Sequence, residues 1–532
     1  MSLVKVSSIA SIGLNKDYPP ALVPSQAWTH VRNARCYDGA LHKSEGESTV
    51  LTPAVDPYGL FSINLNGQQF WAIAGLAAAY GWSGGSSAVI TRASGAYTAT
   101  VFNQWNGGVF NGNLLLNNGV DVPQAWTVPG LGTPLVDLPN WPASTTARVV
   151  RPFKAFLVAL DTTQSSVRYK RRVKWSHSSA SGWPSSWDPA DPELDSGEYD
   201  LPDGDTSLIY CEALGETNVL YTEAETWLMQ LTGSSDIFGF RRLFDTSGIL
   251  AQRCVVPFRK GSGPSMHFVA AQDDVIIHDG VRLQSVMDSA LRRWFFANLD
   301  TSAYFVTHCV HFRRNAEIWL MFPSVGSGSL CNLALVWNYK DNTWVARDVP
   351  QVRFSESSNY GLTYIPEDTW EGLDEQWDTG LDEGWSSVEQ SVFNETVLMA
   401  SIPTSVKQVD PASYQFSGSE ITTVLEHEAL TIVGAGQDGQ PVSDPAVLKH
   451  AHEFWPSFDA TVGDSFTIEF GSREFLTETV SYPFSGAFVV GTDKFVSPHI
   501  SGRYINLRIT HTGTNNFRFL GYGLDIGPLG EL

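Results

Sequence analysis

What most constrains this chain is a recurrence. A short apolar strand, a polar turn and another strand return along most of its length, and helical periodicity is scarce. The recurring cores are Phe70–Ala74, Val109–Leu116, Phe153–Ala159, Val219–Met229, His267–Ile277 and Glu317–Phe322. They lie roughly 40–65 residues apart, the spacing of propeller blades. Turn chemistry punctuates them: Asp273-Asp274 separates two apolar runs, and Lys340-Asp-Asn342 separates Leu335–Tyr339 from Thr343–Ala346. Trp175, Trp187, Trp337 and Trp344 are suited to fill the wedges between blades, since a strand Trp is more often core than binding platform. Residues 51–355 are therefore expected to form an irregular six-bladed β-propeller-like domain, with a stack of β-sandwiches as the competing arrangement. At 532 residues the chain is too long for one hydrophobic core.

A second all-β unit is expected over residues 401–532. Ser465–Phe470, Phe488–Val490 and Tyr504–Thr510 alternate apolar and polar side chains, the mark of a half-buried antiparallel sheet. A C-terminal β-sandwich is the simplest answer, with Gly434–Gly439 as a loop inside it. Between the two units, residues 356–400 read as an acidic, Trp-rich loop or linker. From Gly361 to Gln390 there is no Lys or Arg, and Gly-Leu-Asp-Glu occurs at Gly372–Glu375 and again at Gly380–Glu383. Acidic runs are ordinarily solvated loops. Three indoles in one such run also fit a docking segment for a neighbouring subunit or fibre, with Trp370, Trp377, Trp385, Asp374 and Asp382 as the docking residues. The spacing of a calcium loop is absent.

Charged residues make up 17% of the chain and aromatics 12%, a folded profile and not a disordered one. A formal charge of −22 argues against a protein that grips nucleic acid, which needs clustered Lys and Arg. Lys170-Arg-Arg172 and Arg241-Arg242 are isolated and read as strand-end ion-pair partners. Cys36, Cys211, Cys254, Cys309 and Cys331 show no C-x-x-C spacing, which predicts reduced, buried thiols. The opening Met-Ser-Leu-Val-Lys-Val shows no secretory pattern, and no apolar run approaches the ~18–20 residues that span a bilayer.

Chemistry is sparse. His308 and His311 point to opposite faces of a strand and cannot share an ion without a bulge. His450 and His452 share a face beside Glu453, yet no third ligand is identifiable by spacing, so no metal is assigned. No G-x-S-x-G elbow, dinucleotide fingerprint or phosphate loop is present, and no cofactor is expected. A carboxylate pair acting on glycan is not visible in sequence, because only distance defines it. The chain reads as a non-enzyme.

The opening run points elsewhere. Pro19, Pro20 and Pro24 fix an extended path through Asn15–Trp28, followed by Asn33-Ala-Arg35, an Asp38-Gly39 turn and Glu45-Gly46. Gly502–Arg508 and Phe519–Asp525 form a second pattern near the other end. Together these runs resemble the tail nozzle (tail tubular protein B) family of short-tailed, podovirus-type bacteriophages. The resemblance covers the first 50 or so residues, as an extended N-terminal arm and hairpin (residues 1–50), and the last 30. It implies a structural virion protein: a homohexameric ring at the distal end of the DNA ejection channel. That ring would contact the tail adaptor or tubular protein A, carry fibres or spikes, pass genomic DNA without specific binding, and be made in the host cytoplasm. An acidic lumen would suit such passage, repelling phosphate within about 8 Å at physiological salt. The alternative is a receptor-binding tailspike or adhesin acting on host surface glycan.

Overall fold

A computed structural model describes residues 2–65, 68–233, 236–358, 395–436 and 441–531. Among them the regular structure is almost all strand, with one α-helix, Ser289–Asn298, whose first turn is capped by the Asp288 carboxylate accepting from Ala290 N and Leu291 N. The acidic, Trp-rich run with Trp370, Asp374, Trp377, Asp382 and Trp385 lies outside the described residues.

The six units expected between residues 51 and 355 are all present, each as four strands, but the ring they enter has seven blades and not six. Five are separate antiparallel sheets, beginning at Gly59–Leu65, Asn106–Phe110, Thr145–Phe153, Leu208–Leu214 and Val255–Arg259. The sixth runs His308–Phe312, Glu317–Phe322, Cys331–Asn338 and Thr343–Ser358. Each unit's first strand lies next to that of the following one, which is the ring of a β-propeller.

A seventh unit completes the ring, built from pieces that no hairpin pattern announces. The 16-residue strand Thr343–Ser358 is the outer strand of the sixth blade over its first half. It shifts register around Gln351, which adopts φ +52, and its second half pairs with Thr396–Ser401 as an inner strand. Ser405–Asp410 follows, and the outermost strand is Gly46–Leu51, contributed by the N-terminal segment. Phe354, Leu398, Ala400 and Val406 pack into one core with Leu60, Phe61, Trp71 and Trp105, so this blade sits against the first. The N-terminal strand thereby closes the circle.

The wedges between blades hold the indoles anticipated from sequence. Trp175 meets Phe238 of the fourth blade at 5.4 Å between ring centroids, and Trp337 stacks on Phe268 of the fifth at 5.6 Å. Trp187 meets Trp141 at 4.7 Å, and Trp344 donates from Nε1 to the Val286 carbonyl. All five cysteines are buried and free.

The C-terminal region is a two-sheet sandwich. One sheet orders Ser419–Leu430, Tyr504–Gly513, Ser465–Arg473 and Phe484–Val489; the other places Ile500–Gly502, Val447–Ala460 and Phe517–Glu531 side by side. Phe458 and Phe466, one from each sheet, stack at 3.8 Å. The N-terminal segment is woven into this sandwich. Ser2–Ser7 pairs with Phe517–Glu531 from Ser2↔Ile526 to Ser7↔Gly521. Asp38 (φ +47) and Gly39 (φ +75) turn Ala34–Tyr37 onto Ala40–Lys43 as a two-residue hairpin loop, and that hairpin joins the same sheet. Any side chain at Gly521 would put a Cβ 2.5 Å from the Val6 carbonyl, so glycine is required there.

Candidate functional site

Two features draw on distant parts of the chain: a cavity along the propeller axis and a polar junction between propeller and sandwich.

The cavity has a volume of about 560 Å³ and takes wall residues from the inner strand of every blade, including Ile63, Val109, Val256 and His311. Two ion pairs occupy it. Arg151 of the third blade meets Glu212 of the fourth at 2.6 Å, and Arg253 meets Glu356 of the seventh at 2.8 Å. Arg151 also donates to the Gly107 carbonyl at 2.9 Å. Burial alone works against its charge, but Glu212 raises the pKa of its guanidinium, so the pair stays ionised. A second cavity of about 320 Å³ is lined by Gln104, Arg148, Glu223 and Tyr304, and a minor one of about 10 Å³ by Trp105, Arg253, His308 and Arg353. The two larger cavities are of small-molecule size.

The junction is built on the Asn33-Ala-Arg35 run. Asn33 is buried and adopts φ +57, a left-handed conformation that Asn tolerates. Its Nδ2 donates to Asp348 Oδ2 at 2.8 Å and to the Thr422 carbonyl at 2.9 Å, while its Oδ1 accepts from Asp348 N at 2.8 Å. One side chain therefore ties the sixth blade to the sandwich strand Ser419–Leu430. Arg32 adds a forked pair to the Asp348 carboxylate.

Arg35 bridges Glu45 at 3.0 Å and Glu317 at 2.7 Å, and Arg314 holds both oxygens of Glu45 at 3.0 Å. Burial pushes the Glu45 carboxyl up, but Arg35 and Arg314 overcome it and hold its pKa below the usual value. Glu47 shows the opposite balance: burial dominates and its pKa is raised despite Arg347 and Lys407. Arg347 lies over the Trp319 ring at 4.5 Å, fully buried.

Trp28 finishes the junction. Its indole Nε1 donates to the Ile9 carbonyl at 2.7 Å, and its ring lies 6.2 Å from Phe519. The two terminal runs singled out in the sequence, about 490 residues apart along the chain, thus meet in one core.

The histidine pairs separate clearly. His308 donates from Nδ1 to the Val306 carbonyl and its Nε2 meets Ser355 Oγ, each at 2.9 Å; burial lowers its pKa to about 4. His311 instead meets the Pro257 carbonyl and Tyr339 Oη, so the two rings serve different partners. His450 and His452 do lie together, on Val447–Ala460, with ring centroids 6.4 Å apart. Sequence reasoning did not identify Asp348, the two cavity ion pairs or the surroundings of His452. All depend on strand register, which spacing does not encode.

No family model and no curated protein matches this chain. Among solved structures it is similar to the β-propeller domain of Cps50 (Swd1) from Myceliophteria thermophila, at 10% identity and TM-score 0.38, covering 68% of this chain and 98% of that one. It is also similar to the WD40 propeller of Doa1 (10% identity, TM-score 0.36, covering 68% and 96%) and to the AfRom2 CNH domain (7%, TM-score 0.37, 69% and 99%). The propeller assignment itself rests on the sheets described above. Among the described residues no helix is long and apolar enough to cross a membrane.

Proposed function

We propose that this chain is a structural subunit of a short-tailed phage tail nozzle, assembled as a homohexameric ring around the DNA ejection path and serving as a platform for fibres or spikes. The observation that carries the reading is the meeting of the two terminal runs. Each resembles the nozzle pattern on its own, and Trp28, Asn33 and Arg35 from one, with Phe519 and Gly521 from the other, belong to one junction. A motif that converges in space is better support than scattered matches, because its residues answer to one structural demand.

That demand suits a nozzle. A subunit that holds a genome back and then lets it pass must carry force between its parts without hinging. The seventh blade includes a strand from the N-terminal segment, and the same segment supplies strands to the sandwich, so propeller and sandwich are cross-braced. The axial cavity is too small for duplex DNA, so the DNA path in this reading runs between subunits and not through a propeller. Net acidity is compatible with a wall that phosphate does not adhere to.

The test is symmetry-resolved cryo-electron microscopy of the purified virus particle, locating this chain's density. Six copies enclosing the tail axis are expected. Trimers projecting sideways would make it a spike or adhesin, and absence from the particle would overturn the reading.

A further inference from the structure

We propose that His452, Glu453 and Asp525 form a binding site for one divalent transition-metal ion of the zinc class on the sandwich sheet that carries Val447–Ala460 and Phe517–Glu531.

The site owes its existence to a β-bulge. Neighbouring residues on a regular strand face opposite ways, so His452 and Glu453 would not converge. Here the register of Val447–Ala460 against Phe517–Glu531 shifts: Ala451 opposes Ile526 and Glu453 opposes Asp525, leaving His452 as the extra residue. A bulge of this kind re-aims a side chain. It brings one ligand atom from each of His452, Glu453 and Asp525 within 4.8 Å of one another.

The distances match coordination better than hydrogen bonding. His452 Nδ1 lies 3.4 Å from Asp525 Oδ2 and 3.7 Å from Glu453 Oε1. Donors bound at about 2.0–2.1 Å in a tetrahedral shell stand roughly 3.4 Å apart. That ring nitrogen is buried and makes no hydrogen bond, while two carboxylates face it. An ion at the common focus of the three groups would satisfy that nitrogen and both carboxylates.

The surroundings orient the ligands. Trp455 donates from Nε1 to the other Glu453 oxygen at 3.2 Å, fixing that carboxylate as outer partners of metal ligands do. Phe454 and Val496 exchange backbone hydrogen bonds at 2.8 and 2.9 Å, anchoring the segment that carries His499. His499 adopts φ +48, and its ring centroid is 4.6 Å from that of His452, making it the nearest further imidazole. An imidazole with two carboxylates favours zinc, cobalt or nickel over calcium and magnesium, which prefer oxygen throughout. Bound there, the ion would hold the bulge of Val447–Ala460 against Phe517–Glu531.

The rival occupant is a proton, with imidazolium bridging the carboxylates. The full chain, without a histidine tag and stripped with chelator, is titrated with zinc by calorimetry and with cobalt by visible absorption. One saturable site per chain is expected. Asp525→Asn and His452→Gln should each weaken zinc by at least about tenfold, and zinc should raise the melting temperature of the unmodified chain but not of these variants. Circular dichroism of each metal-free variant, superimposing on that of the unmodified chain, guards against misfolding. No saturable uptake of either metal, or uptake that survives Asp525→Asn and His452→Gln alike, overturns the proposal.

Discussion

Replacing Asn33 with Ala tests the junction most directly. The substitution removes an acceptor from Asp348 N and donors from the Asp348 carboxylate and the Thr422 carbonyl, all across the boundary between propeller and sandwich. The Asp348 carboxylate keeps its forked pair to Arg32, so the groups left unpaired are the Asp348 N–H and the Thr422 carbonyl, both only partly buried, at a combined cost of about 1–3 kcal/mol. Alanine must also be held at φ +57, which adds about 1–2 kcal/mol. Together these give a loss of about 2–5 kcal/mol. For a cooperative unit of 150–250 residues, the size class of the sandwich with its arm, that lowers Tm by about 4–20 °C. Asn33→Gly loses the same hydrogen bonds but accepts the left-handed backbone, so it should be about 1 kcal/mol less damaging. Asn33→Asp sets a second carboxylate against Asp348 and should be no better than alanine. Scanning fluorimetry with urea titration reads all three. A loss below about 1 kcal/mol for Asn33→Ala, or alanine tolerated better than glycine, refutes the argument.

Three further outcomes are expected. Gly46→Ala puts a Cβ 2.4 Å from the Gln415 carbonyl and 2.6 Å from that of Ser413, both backbone, so it should destabilise the closing strand by at least about 1–3 kcal/mol and expose the seventh blade to limited proteolysis; unchanged cleavage would discount the ring closure. Trp28→Ala should cost about 3–5 kcal/mol by emptying a fully buried site, read as a lower urea midpoint, and a midpoint equal to the parent's would remove Trp28 from the junction. His308 and His427 are buried and have pKa values lowered to about 4, below the ~6.5 of an unfolded chain. Their contribution is complete above about pH 6.5 and is lost as pH falls toward 4, by about 3 kcal/mol each, so Tm should drop between pH 7 and pH 5; a flat or rising Tm contradicts this.

The propeller was legible because its blades are local. Phe70–Ala74 and Val219–Tyr221 are apolar at successive positions since both faces of an inner blade strand are buried, and turns such as Asp273-Asp274 separate adjacent partners. The seventh blade was not legible for the converse reason. Its outer strand, Gly46–Leu51, pairs with residues some 360 positions away, and Thr343–Ser358 serves two blades with one uninterrupted strand. Neither leaves a periodic trace, so the closing blade fell across the boundaries drawn at residues 50, 355 and 400.

The sites divide along the same line. Asn33 stood out in the sequence only as part of a pattern; its role appears when Asp348 and Thr422 come from opposite sides to meet it. His450-Ala-His452-Glu453 was visible as a cluster but lacked a third ligand, because Asp525 reaches it through register and Glu453 through a bulge. Both cases put polar groups where two separately folded layers must agree in register. A slip of one residue in Phe517–Glu531 would at once turn Asp525 away from His452 and Phe519 away from Trp28. The metal site and the junction are therefore coupled through one strand. If the ion binds as proposed, it fixes the same register that lets the terminal runs meet, and chelation should lower the cost of pulling the arm strand Ser2–Ser7 from its partner. Hydrogen exchange at Val4 and Val6, compared with and without zinc, measures that coupling. Equal protection in the two states would show that the bulge and the arm hold their register independently.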